Sequence, residues 1–151
     1  MNDHSPNIPA MARLPMAGAL PYPPAQSTFT SVFWRGLDEG RFLATHCPAC
    51  DRLSFPPKPF CPHCWQRSVQ WRAIAPRGVV YSATTIHAAP KVFSALAPYQ
   101  VCIVDLHVGL RIATRLLGDT PTAQALGREV ELVALTHEDG SLFAARLLNP
   151  L

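Results

Sequence analysis

Four cysteines stand where a single metal ion can use them all. Cys47-Pro48-Ala49-Cys50 and Cys61-Pro62-His63-Cys64 are two C-x2-C pairs with ten residues between them. Each pair can form a tight knuckle with both sulfurs aimed at one ion, and the short loop lets the second knuckle fold over the first to complete a tetrahedral four-sulfur shell. Zn2+ prefers that shell. Four-thiolate iron sites use the same ligands, but the chain carries no other redox apparatus, so zinc is favoured over iron. Four protein ligands leave no position for substrate, which makes the metal structural and not catalytic. His46 and His63 adjoin the cysteines and are alternative ligands by type. With four thiolates available they are read as solvated or as hydrogen-bonding neighbours of the site.

A disulfide pair is the competing use of these thiols. It needs an oxidising compartment, and Met1-Asn2-Asp3-His4-Ser5-Pro6 shows neither the basic start nor the apolar run of a secretory signal. Reduced, metal-bound thiols in a cytoplasmic protein are the expectation. No stretch approaches the roughly 18 apolar residues needed to span a bilayer, so no membrane role is expected.

The elements that must position the cysteines fall into three parts, residues 1–27, 28–75 and 76–151. The first is an extended arm in which Pro6, Pro9, Pro15, Pro21, Pro23 and Pro24 remove amide donors and fix φ too often for a regular helix or sheet. Its Ile8, Met11, Leu14, Met16, Leu20 and Tyr22 are apolar anchors with too little regular structure around them to be buried on the same chain. The arm is therefore expected to order across a partner's surface, with a floppy tail as the alternative.

The second part begins with a short helix over 31–39, capped by Ser27 or Thr28 and ended by Gly40, with Phe29, Val32, Phe33 and Leu37 as its apolar stripe. Phe42 and Leu43 start the strand entering the first knuckle. Phe55, Phe60, Trp65 and Trp71 are read as the small core of a metal ribbon, with a partner- or ligand-facing role for some of them as the alternative.

From Gly78 onward the pattern is that of strands: 78–86, 99–107, 110–116, 128–135 and 141–147, rich in Val, Ile, Thr and Tyr. Val108-Gly109 and Glu138-Asp139-Gly140 mark hairpins. Five short, mainly antiparallel strands make a small Greek-key barrel, of which the OB-fold is the best-known form, with an SH3-like barrel or open sandwich compatible with the same count.

Net charge is +3 over 151 residues, but it is unevenly spread. Between Asp51 and Asp105 there is no acidic residue, while Arg52, Lys58, Arg67, Arg72, Arg77 and Lys91 fall inside. Four thiolates on a divalent ion take two charges from those six. The stretch remains basic, and suits a phosphate-bearing ligand, an acidic partner or solvent.

The run Phe33-Trp34-Arg35-Gly36-Leu37, Gly40-Arg41-Phe42-Leu43, the two knuckles, Phe55-Pro56-Pro57, Gly78-Val79-Val80-Tyr81-Ser82 and Pro98-Tyr99 resembles the family of rubredoxin-like zinc-ribbon plus OB-fold proteins once catalogued as a domain of unknown function. The resemblance covers about residues 29–148. It implies a mainly β fold: an N-terminal helix and rubredoxin-like zinc ribbon, then a five-stranded OB-fold barrel. It also implies a hetero-oligomer, since members of that family are small subunits of thiolase-fold enzymes whose catalytic residues lie on the thiolase-like partner. Those complexes make hydroxymethylglutaryl-CoA, cleave steroid side chains by retro-aldol chemistry, or move acetyl groups between phloroglucinols. Two positions depart from the family pattern. A glycine usually follows the second cysteine of each knuckle, where this chain has Asp51 and Trp65. Asp tolerates the left-handed backbone such a position needs, and Trp does so poorly.

Little else in the chain resembles an active site. Cys102 lies between Val101 and Ile103 in a strand and reads as a small buried hydrophobe. His87, His107 and His137 fall near strand ends without an adjacent nucleophile or carboxylate set, and neither G-x-G-x-x-G nor G-x4-G-K-[ST] occurs. The expectation is a non-catalytic subunit of a complex transferring an acyl group to a small aromatic or polyketide acceptor, with contact to acyl-CoA or another acyl donor. Accessory roles in a retro-aldolase or hydroxymethylglutaryl-CoA synthase complex are the alternatives. Nucleic-acid binding is the reading from a different class, disfavoured because strands 99–107 and 110–116 offer few aromatic platforms or cations.

Overall fold

A computed structural model of the chain describes residues 7–150. Pro6 and the five residues before it lie outside them. The described residues form β1 (Arg13–Pro15), α1 (Ser31–Asp38), β2 (Leu43–Cys47), β3 (Arg52–Ser54), β4 (Gln70–Ala73), β5 (Arg77–Ile86), a 3-10 turn (Lys91–Leu96), β6 (Tyr99–Leu106), β7 (Arg111–Leu117), α2 (Thr122–Ala125), β8 (Glu129–His137) and β9 (Gly140–Leu147).

β5 to β9 close into a five-stranded barrel in the order β5-β6-β7-β9-β8-β5, antiparallel except where β7 meets β9 through Leu116↔Ala145 and Leu117↔Arg146. This is the OB-fold connectivity, with α2 in the link between β7 and β8. Alternation along the strands places Val80, Cys102, Val104, Ile112, Leu116, Val130, Leu132, Ala145 and Leu147 inside. A bulge at Tyr81 in β5 breaks the register with β6 between Val80 and Ser82, adding local twist of the kind that closes small barrels. Gly78 is fixed by its neighbour: a Cβ there would sit 2.2 Å from the Asp105 carbonyl oxygen.

α1 starts differently from its expected capping. Thr30 is the residue before the first turn, and no side chain caps the helix. Ser27 and Thr30 instead bond each other, with Ser27 N donating to Thr30 Oγ1 at 2.9 Å and Thr30 N to Ser27 Oγ at 3.1 Å. The helix ends as expected. Gly40, at φ 74°, donates to Leu37 O at 3.0 Å, and Arg41 N donates to Gly36 O at 2.8 Å, the double bond of a Schellman motif. Phe33 and Leu37 are buried on the face toward the barrel.

The aromatic residues divide between two places. Phe42 and Phe55 leave the ribbon and join Phe33 and Phe143 in one cluster of edge-to-face and tilted rings with centroids 5.1 to 6.0 Å apart. This cluster welds ribbon, helix and barrel into a continuous core. Trp65, expected in a ribbon core, is 74% exposed instead.

The arm also departs from expectation, because its residues 11–16 pack on their own chain, while the expected anchor Tyr22 is 64% exposed. β8 pairs with β5 only through Glu129–Glu131, and β1 takes the edge β5 leaves, running parallel as Arg13↔Ala134, Leu14↔Leu135 and Pro15↔Thr136. An open strand edge is a row of unpaired amides and carbonyls, and the arm covers it. Met11 is buried, and its amide donates to Gly40 O at 2.8 Å. Ala12, Leu14 and Met16 form a second small core with Val133, Leu135 and Ala144.

Candidate metal centre

The ribbon is an antiparallel three-stranded sheet in the order β3-β2-β4, with β2 buried along its whole length. β2 runs directly into Cys47, and the chain reverses so that Asp51 N donates to Cys47 O at 2.8 Å. The second knuckle repeats this, with Trp65 N donating to Cys61 O at 2.9 Å. Both reversals need a left-handed residue, and Asp51 (φ 58°) and Trp65 (φ 66°) supply it. The glycine-replacing tryptophan thus adopts the backbone its position requires, at some steric cost.

The two knuckles bring Cys47, Cys50, Cys61 and Cys64 together, with all four sulfurs within 4.8 Å of one another. Cys47 Sγ to Cys64 Sγ is 3.5 Å and Cys50 Sγ to Cys61 Sγ is 3.6 Å. These separations exceed a disulfide bond and match the roughly 3.8 Å edge of a tetrahedron with Zn–S near 2.3 Å. Cys47 and Cys61 are buried, Cys50 is half-buried and Cys64 is exposed, so one side of the site meets solvent.

Backbone donors prepare one of the sulfurs, that of Cys61, for a cation. Burial pushes the Cys61 thiol up, but the amides of Cys64 and His63 outweigh it and bring its pKa to about 6, with His63 N 3.4 Å from the sulfur. Cys50, with burial and the neighbouring thiols against its charged form, is pushed up to about 12. Four thiolates this close repel one another, and a divalent cation removes the repulsion. The donor set fits a structural zinc in a rubredoxin-like ribbon.

The two histidines lie beside this shell. Arg72 donates to His46 Nδ1 at 3.1 Å, and His46 Nε2 donates to Asp51 Oδ1 at 2.7 Å. The Asp51 carboxyl is held below its ordinary range, chiefly by that hydrogen bond. The buried imidazole ties β4, β2 and the first knuckle together. His63 Nδ1 sits 3.4 Å from Arg52. Next to the knuckles, β3 and the loop after it face the β6–β7 hairpin across a cleft of about 630 Å3 that carries Arg52, Lys58, Arg72 and Arg111. Three of the six cations of the acid-free stretch, Arg52, Lys58 and Arg72, therefore meet in one cleft, which Asp51 also lines.

The remaining candidates stay apart. Cys102 is buried in the barrel and its thiol is pushed up to about 11 by desolvation, the behaviour of a packing residue. His107 bonds Glu129 at 2.9 Å at the barrel rim, and His87 is exposed at the end of β5. Sequence reasoning did not foresee the Arg72–His46–Asp51 chain, because it depends on β4 lying beside β2. The only local signal was His46 preceding Cys47.

Residues 34–70 match the family model described as "ChsH2, rubredoxin-like zinc ribbon domain" and residues 71–135 that described as "ChsH2, C-terminal OB-fold domain". A "DUF35 domain-containing scaffold protein" of Methanocaldococcus jannaschii is 33% identical over 103 residues, 66% of this chain and 72% of that one. The "3-oxo-4,17-pregnadiene-20-carboxyl-CoA hydratase alpha subunit" of Mycobacterium tuberculosis is 31% identical over 124 residues, 80% of this chain but 38% of that subunit's length. Among solved structures, a chain of the "Ltp2-ChsH2(DUF35) aldolase" superposes with a TM-score of 0.73 at 30% identity, covering 84% of this chain and all of that one. With knuckles, barrel connectivity and both family models in register, the chain belongs to the ChsH2-type, or DUF35, family of rubredoxin-like zinc-ribbon and OB-fold proteins.

Proposed function

We propose that this chain is the non-catalytic small subunit of a hetero-oligomer with a thiolase-like enzyme, and that the complex transfers an acyl group to a small aromatic or polyketide acceptor. The observation that carries the reading is the kinship of the whole ribbon-and-barrel unit to a chain of the Ltp2-ChsH2(DUF35) aldolase, which the present chain covers from end to end. The relatives named as scaffold proteins support the same role. In this reading Cys47, Cys50, Cys61 and Cys64 hold one structural Zn2+, and no residue of the chain does chemistry. Residues 28–75 dock to the partner and 76–151 support assembly. Trp65, exposed and stacked on Phe60 at 5.7 Å, is the anchor, since exposed aromatics on a rigid frame are typical binding hot spots. The basic cleft beside the knuckles meets the phosphates of an acyl-CoA donor held mainly by the partner.

Co-expression with a thiolase-like subunit from the same genome tests this. The expected result is co-elution of the two chains, acyl transfer by the pair and none by either alone, and weakened co-elution with Trp65→Ala. Turnover by the isolated chain that Cys102→Ala abolishes overturns the accessory role. Retro-aldol cleavage by the pair, without acyl transfer, replaces the reaction but keeps the role.

A further inference from the structure

At the end of the barrel away from the β6–β7 hairpin, the β8–β9 hairpin, the 3-10 turn and the arm beyond β1 border a half-open pocket of about 360 Å3. Its walls are apolar: Met16 from the arm, Phe93 and Leu96 from the turn, and Leu135 and Leu142 from the hairpin. A volume in this range is that of small-molecule pockets.

Two charged or titratable side chains line the same space. Arg115 Nε and His137 Nδ1 are both buried, and neither has a hydrogen-bond partner. Elsewhere on the barrel, Arg111 and Arg146 meet carboxylates at 2.6 Å, whereas Arg115 makes no ion pair among the described residues. Asp119 and Gln100 share the neighbouring hollow with Arg115. Neither bonds it, and Gln100 Oε1 is itself unpartnered. A guanidinium N–H withdrawn from water destabilises the fold unless an acceptor reaches it. Arg115, with no carboxylate paired to it among the described residues, lines an apolar pocket together with His137, which is the arrangement of a site for an anion with an apolar body.

We propose that this cavity binds a small organic acid, its carboxylate on Arg115 and His137 and its apolar body among Phe93, Leu96, Leu135 and Leu142. The arm supplies one wall, with Ala17, Ala19 and Pro21 beside Met16. The ligand therefore bridges arm and barrel, and its binding favours the docked arm by the same factor that docking favours binding. This site is separate from the ribbon and from the basic cleft, and it does not depend on the enzyme partner.

The test uses the full zinc-loaded chain alone, titrated with octanoate and with 4-phenylbutyrate and followed by amide NMR shifts. At least one acid binds saturably and moves the amides of Phe93, Arg115 and His137, while uncharged octanamide binds about tenfold more weakly. Arg115→Met removes that preference, leaving acid and amide alike. Leu142→Trp fills the chamber and abolishes both, with zinc content unchanged in each variant. Bound acid also slows proteolysis within residues 17–26. Failure of both acids to saturate, equal affinity for octanamide and octanoate in the parent chain, or undiminished acid binding by Arg115→Met overturns the proposal.

Discussion

The ribbon and the barrel solve the same problem with different means. The ribbon's strands are five, three and four residues long. Such strands bury too little to hold a sheet alone, and the knuckles supply four thiolates and the Arg72–His46–Asp51 chain instead. The barrel's strands run seven to ten residues and enclose an unbroken aliphatic interior. Between them stands the Phe33–Phe42–Phe55–Phe143 cluster, which lets the stronger half brace the weaker. One chain thus relies on coordination where its strands are short and on apolar burial where they are long.

The contrast breaks most sharply at the metal. Structural zinc sites contribute on the order of 10 kcal/mol to folding of their modules. Cys61→Ser is expected to leave well under one equivalent of zinc and to disorder residues 43–73 while barrel amides keep their dispersion, as metal analysis and NMR of the purified chain would report. Full zinc retention by this variant would show that the four-sulfur set is wrong.

The barrel should fail differently. Leu132 is 1% exposed inside it, and Leu132→Ala should cost about 2 to 5 kcal/mol of global stability in urea unfolding, without loss of zinc at low denaturant. A variant that released zinc before the barrel melted would mean the ribbon leans on the barrel more than on its metal.

At Trp65 the two demands on the ribbon oppose each other. Trp65→Gly relieves a left-handed side chain, a strain of about 1 to 2 kcal/mol, part of which is offset by the lost stack on Phe60 and by glycine's extra chain entropy. Equal or slightly raised stability is expected, together with weaker assembly. A clear loss of stability would make the stack structural.

The smallest effect is electrostatic and lies on the barrel. Asp105 accepts from Arg111 at 2.6 Å, and that hydrogen bond holds its carboxyl below the ordinary range. A depressed carboxyl contributes stability above its unfolded pKa and loses it as pH falls through the folded value. The stability gap between the parent and Asp105→Asn should therefore be present at neutral pH and close in acid. The pair is solvent-exposed, so the gap is small.

Much of this molecule is written locally. Two C-x2-C pairs across ten residues define the metal site because knuckle geometry is settled within four or five residues of each cysteine. The barrel strands lie within two residues of their expected limits, since period-two patterning and the Val108-Gly109 turn are local signals too. The tertiary structure alone decided that Leu14 pairs with Leu135 far along the chain, in an arm whose prolines conceal a three-residue strand. It also decided that Phe55 joins Phe143 while Trp65 faces outward, and that Arg115 and His137 share a chamber. Those outcomes depend on which distant edge or face is left uncovered once the barrel closes, and a free edge exists only in three dimensions.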